Sequence, residues 1–133
     1  MQEHGSFEIE VTGQTIRVKL FDQWNYETTV RFCNEFKVIA LTISDKPWAC
    51  LVDLLDWELG TPDIWAPLEG GNLWSSNNNQ KYEASVSKLG VHKHVMKKSD
   101  EALIGVQTNA FDNVTDALAW LEEVGIRTTN LND

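Results

Sequence analysis

Trp48-Ala49-Cys50-Leu51-Val52-Asp53-Leu54-Leu55 is a nearly continuous apolar run, broken only by Asp53. A strand with apolar side chains on both faces belongs in the interior of a sheet, with helices covering at least one side. This run is therefore the candidate central strand. Any fold assigned to the chain has to surround it.

The segments before it supply the neighbours. Phe7, Ile9 and Val11 alternate with Glu8, Glu10 and Thr12, and after Gly13-Gln14 the residues Ile16, Val18 and Leu20 alternate with Arg17 and Lys19. Period-two patterns on either side of a glycine-containing turn describe an amphipathic β-hairpin, with Glu8 and Glu10 placed to face Arg17 and Lys19. The period then changes. Tyr26, Val30, Cys33, Phe36, Ala40 and Ile43 recur at steps of three and four, the spacing of one helix face, with Asn25 as N-cap and Ser44-Asp45-Lys46-Pro47 as the stop. Strand, helix, strand is a βαβ unit, which implies parallel pairing.

Beyond the central strand the pattern is less regular. A helix is predicted from Gly60-Thr61-Pro62-Asp63, with Thr61 as cap and Pro62 in the first turn; Gly70-Gly71 and Ser75-Ser76-Asn77-Asn78-Asn79 interrupt it. Tyr82, Val86 and Leu89 suggest a further helical piece over 81–89, and Val91 to Met96 reads as a strand. Ala102 to Val106 fits strand or helix equally. Val114, Ala117, Leu118, Leu121 and Val124 follow helical spacing, with Asp112 or Asn113 as cap and Gly125 as stop. The organisation expected is one domain over 1–126 and a polar C-terminal tail, 127–133, that frays.

Size and charge set limits on function. The chain has 133 residues, 42% of them hydrophobic, enough for a core without disulfides or structural metals. Its net charge of -9 repels a phosphate backbone, which argues against nucleic acid and anionic membranes as partners. No window approaches the roughly 18 apolar residues of a spanning helix, and Met1-Gln2-Glu3-His4-Gly5 lacks the order of a signal peptide, so a cytoplasmic location is expected. Cys33 and Cys50 read as reduced core residues. Acidic Trp48–Gln80 is followed by basic Lys81–Lys98, where Glu83 is the single acid.

The order hairpin, helix, buried strand, helix, strand, terminal helix resembles the STAS domain, in particular the SpoIIAA-like group of small stand-alone bacterial proteins. Ala49-Cys50-Leu51-Val52-Asp53-Leu54 is similar to that group's hydrophobic strand ending in Asp-Leu. Phe111-Asp112-Asn113-Val114-Thr115-Asp116-Ala117-Leu118-Ala119-Trp120-Leu121 is similar to its F-x-x-x-x-x-A-x-x-W-L ending. The resemblance implies an α/β SpoIIAA-like (STAS) fold: a mixed sheet with an N-terminal hairpin, a βαβ crossover and helices packed mainly on one face. It also implies a non-enzymatic regulatory or protein-interaction module. The phosphorylatable Asp-Ser-Ser-Gly turn of the anti-anti-sigma branch is not matched, since the corresponding stretch is Leu55-Asp56-Trp57-Glu58-Leu59-Gly60-Thr61-Pro62. Thr61, the nearest hydroxyl, is surrounded by Asp56, Glu58 and Asp63, which repel a phosphate.

No motif carries catalysis. Asp53, Asp56 and Glu58 lie at the carboxyl end of the central strand, where α/β folds bind ligands, but acidic residues there are also ordinary solvated loop residues. His92 and His94 would share one strand face, yet no third ligand stands at a telling spacing, and no metal or cofactor is expected. Tryptophan is the unusual item, with six: Trp24, Trp48, Trp57, Trp65, Trp74 and Trp120. Trp48 and Trp120 are the clearest core candidates. Trp57, Trp65 and Trp74, with Asp56 and Glu58, form the candidate interaction or ligand-binding region. It would take a protein partner or a second copy of the chain. The alternative reading is a carrier or sensor of a small apolar ligand in a pocket near Trp57–Trp74, favoured by the architectural similarity of SpoIIAA-like domains to Sec14-type lipid-binding folds.

Overall fold

The computed structural model describes residues 2–88 and 100–130. Strands β1 (Ser6–Thr12) and β2 (Thr15–Trp24) form the hairpin, and helix α1 (Tyr26–Ala40) leads to β3 (Trp48–Gly60). A 3-10 turn (Pro62–Ile64) opens α2 (Trp65–Ser76), followed by β4 (Gln80–Val86), β5 (Gln107–Phe111) and α3 (Val114–Glu123). The sheet order is β1-β2-β3-β4-β5; β1 is antiparallel to β2, and the other neighbours pair in parallel. The apolar run is thus the middle strand of a mixed sheet. Among the described residues, no helix is long and apolar enough to cross a membrane.

Alternation along β3 divides the core. Cys50, Val52 and Leu54 face α1 and α2 with Ile16, Val18, Leu20, Trp24, Phe36 and Trp48, while Ala49 and Leu51 face α3 with Ala84, Val86, Ala117 and Leu121. Two of the three described helices therefore cover one face, and α3 covers β3 to β5 on the other. The hairpin pairs as its charges predict, Glu8 opposite Lys19 and Glu10 opposite Arg17. These four stand on the α3 side, on the half of the sheet which that helix does not cover.

Local rules account for the helix ends. The Asn25 side chain accepts from Thr28 N at 3.2 Å and starts α1; the Asn113 side chain accepts from Asp116 N at 2.8 Å and starts α3. Thr61 differs from its expected capping role, because its hydroxyl donates to the Asp63 carboxylate and caps no backbone amide. Gly70 and Gly71 lie inside α2 rather than breaking it. The polar run Ser75 to Asn79 ends it instead, with Asn78 Nδ2 donating to Trp74 O at 2.7 Å.

β3 carries an extra residue relative to β2: Lys19 pairs with Asp53, but Phe21 pairs with Asp56. In a regular strand residues three apart point to opposite faces; the bulge puts Asp53 and Asp56 on the same one. Lys19 Nζ lies between them, 3.9 Å from Asp53 Oδ2 and 3.3 Å from Asp56 Oδ2. The Asp56 hydrogen bond, then the Asp53 charge, raises the Lys19 pKa. A second shift, between Asp22 and Trp24, accompanies positive φ at Leu59 (68°). A branched side chain there is a strained conformation, held by pairing on both sides of it.

Three expectations are corrected. Residues 81–88 are not helical, and Leu89 lies outside the described residues: 80–86 form β4, since Tyr82, Ala84 and Val86 satisfy a period of two as well as Tyr82, Val86 and Leu89 satisfy a helix, and pairing to both β3 and β5 decides. Ala102 to Val106 is neither strand nor helix but a turn segment around buried Leu103, with Gly105 at φ 77°. Residues 127–130 do not form a free tail. Gln14 N donates to Arg127 O at 2.9 Å, Thr15 Oγ1 donates to the same oxygen at 3.0 Å, and Gly13 N donates to Asn130 Oδ1 at 3.0 Å. Gly13, at φ 64°, allows this approach, because a Cβ there would stand 2.6 Å from Thr129 O. The predicted strand Val91–Met96, with His92 and His94, lies outside the described residues.

Candidate functional site

The five residues singled out in the sequence are split by the sheet. Trp57 is 2% exposed and belongs to the core on the α1–α2 side, its ring edge-on to Trp24 at 5.8 Å and to Trp65 at 6.2 Å. It is not a surface contact residue. Trp65 and Trp74, both half-buried, pack on the same side in α2. Asp56 and Glu58 alternate with Trp57 along β3, so they are exposed on the opposite face, where Asp56 is held by Lys19. Tryptophans and carboxylates do not form one site. Of the expected core pair, Trp48 is fully buried, with Nε1 donating to Asn78 O at 2.7 Å, and Trp120 is half-buried between Tyr82 and Phe111.

What α2 does form is the outer wall of two features. Toward the inside, a cavity of about 60 Å³ lies between α1, α2 and the sheet, walled by Phe32, Phe36, Val52, Trp57 and Leu68 with Gln80 and Glu83 at its polar end. Glu83 is 5% exposed, an acid on an interior strand of a sheet covered on both faces. Gln80 Nε2 donates to its Oε1 at 3.3 Å, and it shares a hydrogen bond with Asp100. Burial, then the neighbouring Asp100, pushes the Glu83 pKa well above the ordinary carboxylate range, and burial raises Asp100 too. Both cysteines also line the cavity. Burial pushes the Cys33 thiol up to about 11 and the Cys50 thiol well up.

Toward the outside, α1 and α2 carry exposed aliphatic side chains. Among the described residues five large hydrophobic side chains are exposed: Tyr26 (46%) at the start of α1, Val38 (68%) near its end, Leu41 (60%) at its C-cap and Leu73 (46%) in α2 belong to this layer, and Ile104 (70%) lies outside it. Lys37 Nζ lies 6.0 Å from the Trp74 ring centroid and ties the helices together beside Val38 and Leu73. None of these exposed side chains is among the five residues singled out in the sequence.

Asp53, 8% exposed, and Asp56 share Lys19 as their ion-pair partner. No group of three His, Cys, Asp or Glu among the described residues is arranged to hold a metal ion. Glu83 is the residue that sequence reasoning missed. Within the basic stretch Lys81–Lys98 nothing marks it as buried; the signal is Tyr82, Ala84 and Val86, whose alternation turns Glu83 toward the opposite, helix-covered face.

Known structures share this architecture. An uncharacterised protein of the DUF3478 family with a SpoIIAA-like fold, from Shewanella loihica PV-4, superposes with a TM-score of 0.66 at 16% identity, over 91% of this chain and 96% of its own. An anti-sigma factor antagonist from Mycobacterium paratuberculosis superposes with a TM-score of 0.56 at 12% identity, over 90% and 95%. No protein-family model and no curated protein matches the sequence. The chain has the SpoIIAA-like, or STAS, fold.

Proposed function

We propose that this chain is a non-enzymatic regulatory module that binds another protein through the outer face of α1 and α2. The observation that carries the reading is the placement of Val38 and Leu73 on adjacent helices, with Leu41 at the C-cap of α1. Isolated exposed aliphatics are ordinary on soluble proteins; three in one layer, rimmed by Lys37 and the half-buried Trp74, have the make-up of a small interface centre with a polar edge. The anti-sigma factor antagonist of similar fold supports a protein as the partner class. A second copy of the chain is the other candidate for the same surface. The absence of the Asp-Ser-Ser-Gly turn, and the engagement of Thr61 with Asp63, make binding here independent of a phosphoserine switch. The test is photo-crosslinking from position 73 in cells, with a residue on α3 as control.

The inner cavity favours a second reading, a sensor of a small ligand, on a separate observation: an apolar chamber that ends on a buried carboxyl pair. The net charge of -9 and the absence of an exposed basic face among the described elements support neither nucleic acid nor an anionic membrane as the partner.

A further inference from the structure

The space beneath α2 combines three properties that packing alone does not call for. Its walls are aromatic and aliphatic (Phe32, Phe36, Val52, Trp57), its inner end is Glu83 with Gln80, and it reaches the surface beside Lys37 and Asn72. A buried acid in a core is destabilising unless it is paired, and among the described residues no cation faces Glu83. Leucine at that position would complete a dry core. An acid is kept instead, at the end of a chamber.

The cover of the chamber is a poor helix. α2 contains Pro67, Gly70, Gly71 and Asn72, and glycine costs roughly 1 kcal/mol relative to alanine in a helix interior. Neither glycine is required by packing: a Cβ on Gly70 would meet nothing within 4 Å, and one on Gly71 would only touch Cys33 Sγ at 3.4 Å. The element over the cavity is therefore the one whose sequence resists rigidity most.

We infer that the cavity is a binding site for a small uncharged amphiphile, a molecule with a short apolar tail and one hydroxyl or carbonyl head that hydrogen-bonds Glu83. Charge selects the head. Glu83 and Asp100 lie against each other, and burial works against the charged form of both. A carboxylate head would add a third acid to that pair. An ammonium head would have to pass Lys37 and give up its hydration in an apolar surrounding that already disfavours charge. A hydroxyl or carbonyl exchanges hydrogen bonds with the carboxyl at no ionisation cost. Size selects the tail. A cavity of about 150 Å³ takes benzene, so a volume of about 60 Å³ takes the head and first carbons, and the remainder lies between α1 and α2 as α2 gives way. This site is separate from the outer face of the same helices, and its test does not involve a protein partner.

n-Hexanol, n-hexylamine and hexanoate share one tail and differ in the charge of the head. Titration of each into the protein, followed by backbone amide NMR shifts, reads the site directly. The expected result is saturable shifts with hexanol at Cys50, Gly71, Ser75 and Glu83, and at least tenfold weaker binding of the other two. Glu83→Leu should weaken hexanol about tenfold, the worth of one hydrogen bond. Gly71→Leu, which fills the mouth and leaves Glu83 in place, should weaken it by more than that and serves should the first variant not fold. Hexylamine or hexanoate binding as tightly as hexanol would overturn the inference. So would the lack of saturable shifts at those residues, or hexanol binding unchanged in the folded variants.

Discussion

Gln80 and Glu83 lie three residues apart on one strand, yet the Gln80 amide nitrogen reaches the Glu83 carboxyl at 3.3 Å, with both side chains buried. The irregular pairing at the start of β4, where Trp48 pairs with Gln80 but Ala49 pairs with Tyr82, makes this contact on one face of the sheet. It gives Glu83 a donor, and among the described residues no counter-charge, and stability follows from that.

Because burial raises the folded-state pKa of Glu83, the folded protein binds a proton that the unfolded chain has released. Stability then falls as pH rises from the ordinary carboxylate range near 4.5 through the raised folded value. Asp100 acts with the same sign, and Glu122, whose pKa is lowered by Thr128, with the opposite sign. Glu83→Gln should leave stability at pH 4.5 nearly unchanged and raise it at pH 8, flattening the alkaline side of a Tm-versus-pH profile. A parallel downward shift at all pH values would show that Glu83 is not buried as an acid.

Gly70→Ala should stabilise the protein by about 1 kcal/mol, since the position is helical and the added methyl meets open space. Urea unfolding should show a higher midpoint at constant slope. Gly71→Ala should gain less, because its methyl presses on Cys33 Sγ.

Truncation after Ile126 should cost roughly 3–5 kcal/mol, through loss of the three hydrogen bonds that tie Arg127 and Asn130 to the hairpin turn and of the two that Thr128 donates to Glu122. Gly13→Ala should destabilise comparably, as its methyl would stand 2.6 Å from Thr129 O at a positive φ.

The Cys33 thiol, pushed up to about 11 by burial against an ordinary 9.0, should alkylate with iodoacetamide roughly a hundredfold more slowly than a free thiol at pH 8. Cys50 should be slower still. Faster labelling of Cys33 in the native protein would show that α2 is open for much of the time.

Much of the fold was legible. The alternation of Phe7 to Leu20, the three-and-four spacing of Tyr26 to Ala40 and the run Trp48 to Leu55 each carry a single period, and each became the element that period dictates. The sequence was least informative where two periods fit the same residues, as in 80–86, or where backbone rather than side chains makes the contacts, as in 127–130. Site residues were harder. Trp57 was grouped with Asp56 and Glu58 because they adjoin in sequence, whereas a strand sends neighbours to opposite faces. Glu83 was hidden because a buried acid differs from an exposed one only in the pairing of its strand.

The most direct measurement is photo-crosslinking in cells from a benzophenone side chain placed at Leu73 or Leu41, with Thr115 on α3 as control and adducts read by mass spectrometry. The proposed function predicts one discrete protein adduct, the same from both positions and missing from Thr115, its mass separating a distinct partner from a second copy of the chain. No adduct from Leu73 and Leu41, or the same adducts from Thr115, would contradict a partner surface on α1 and α2.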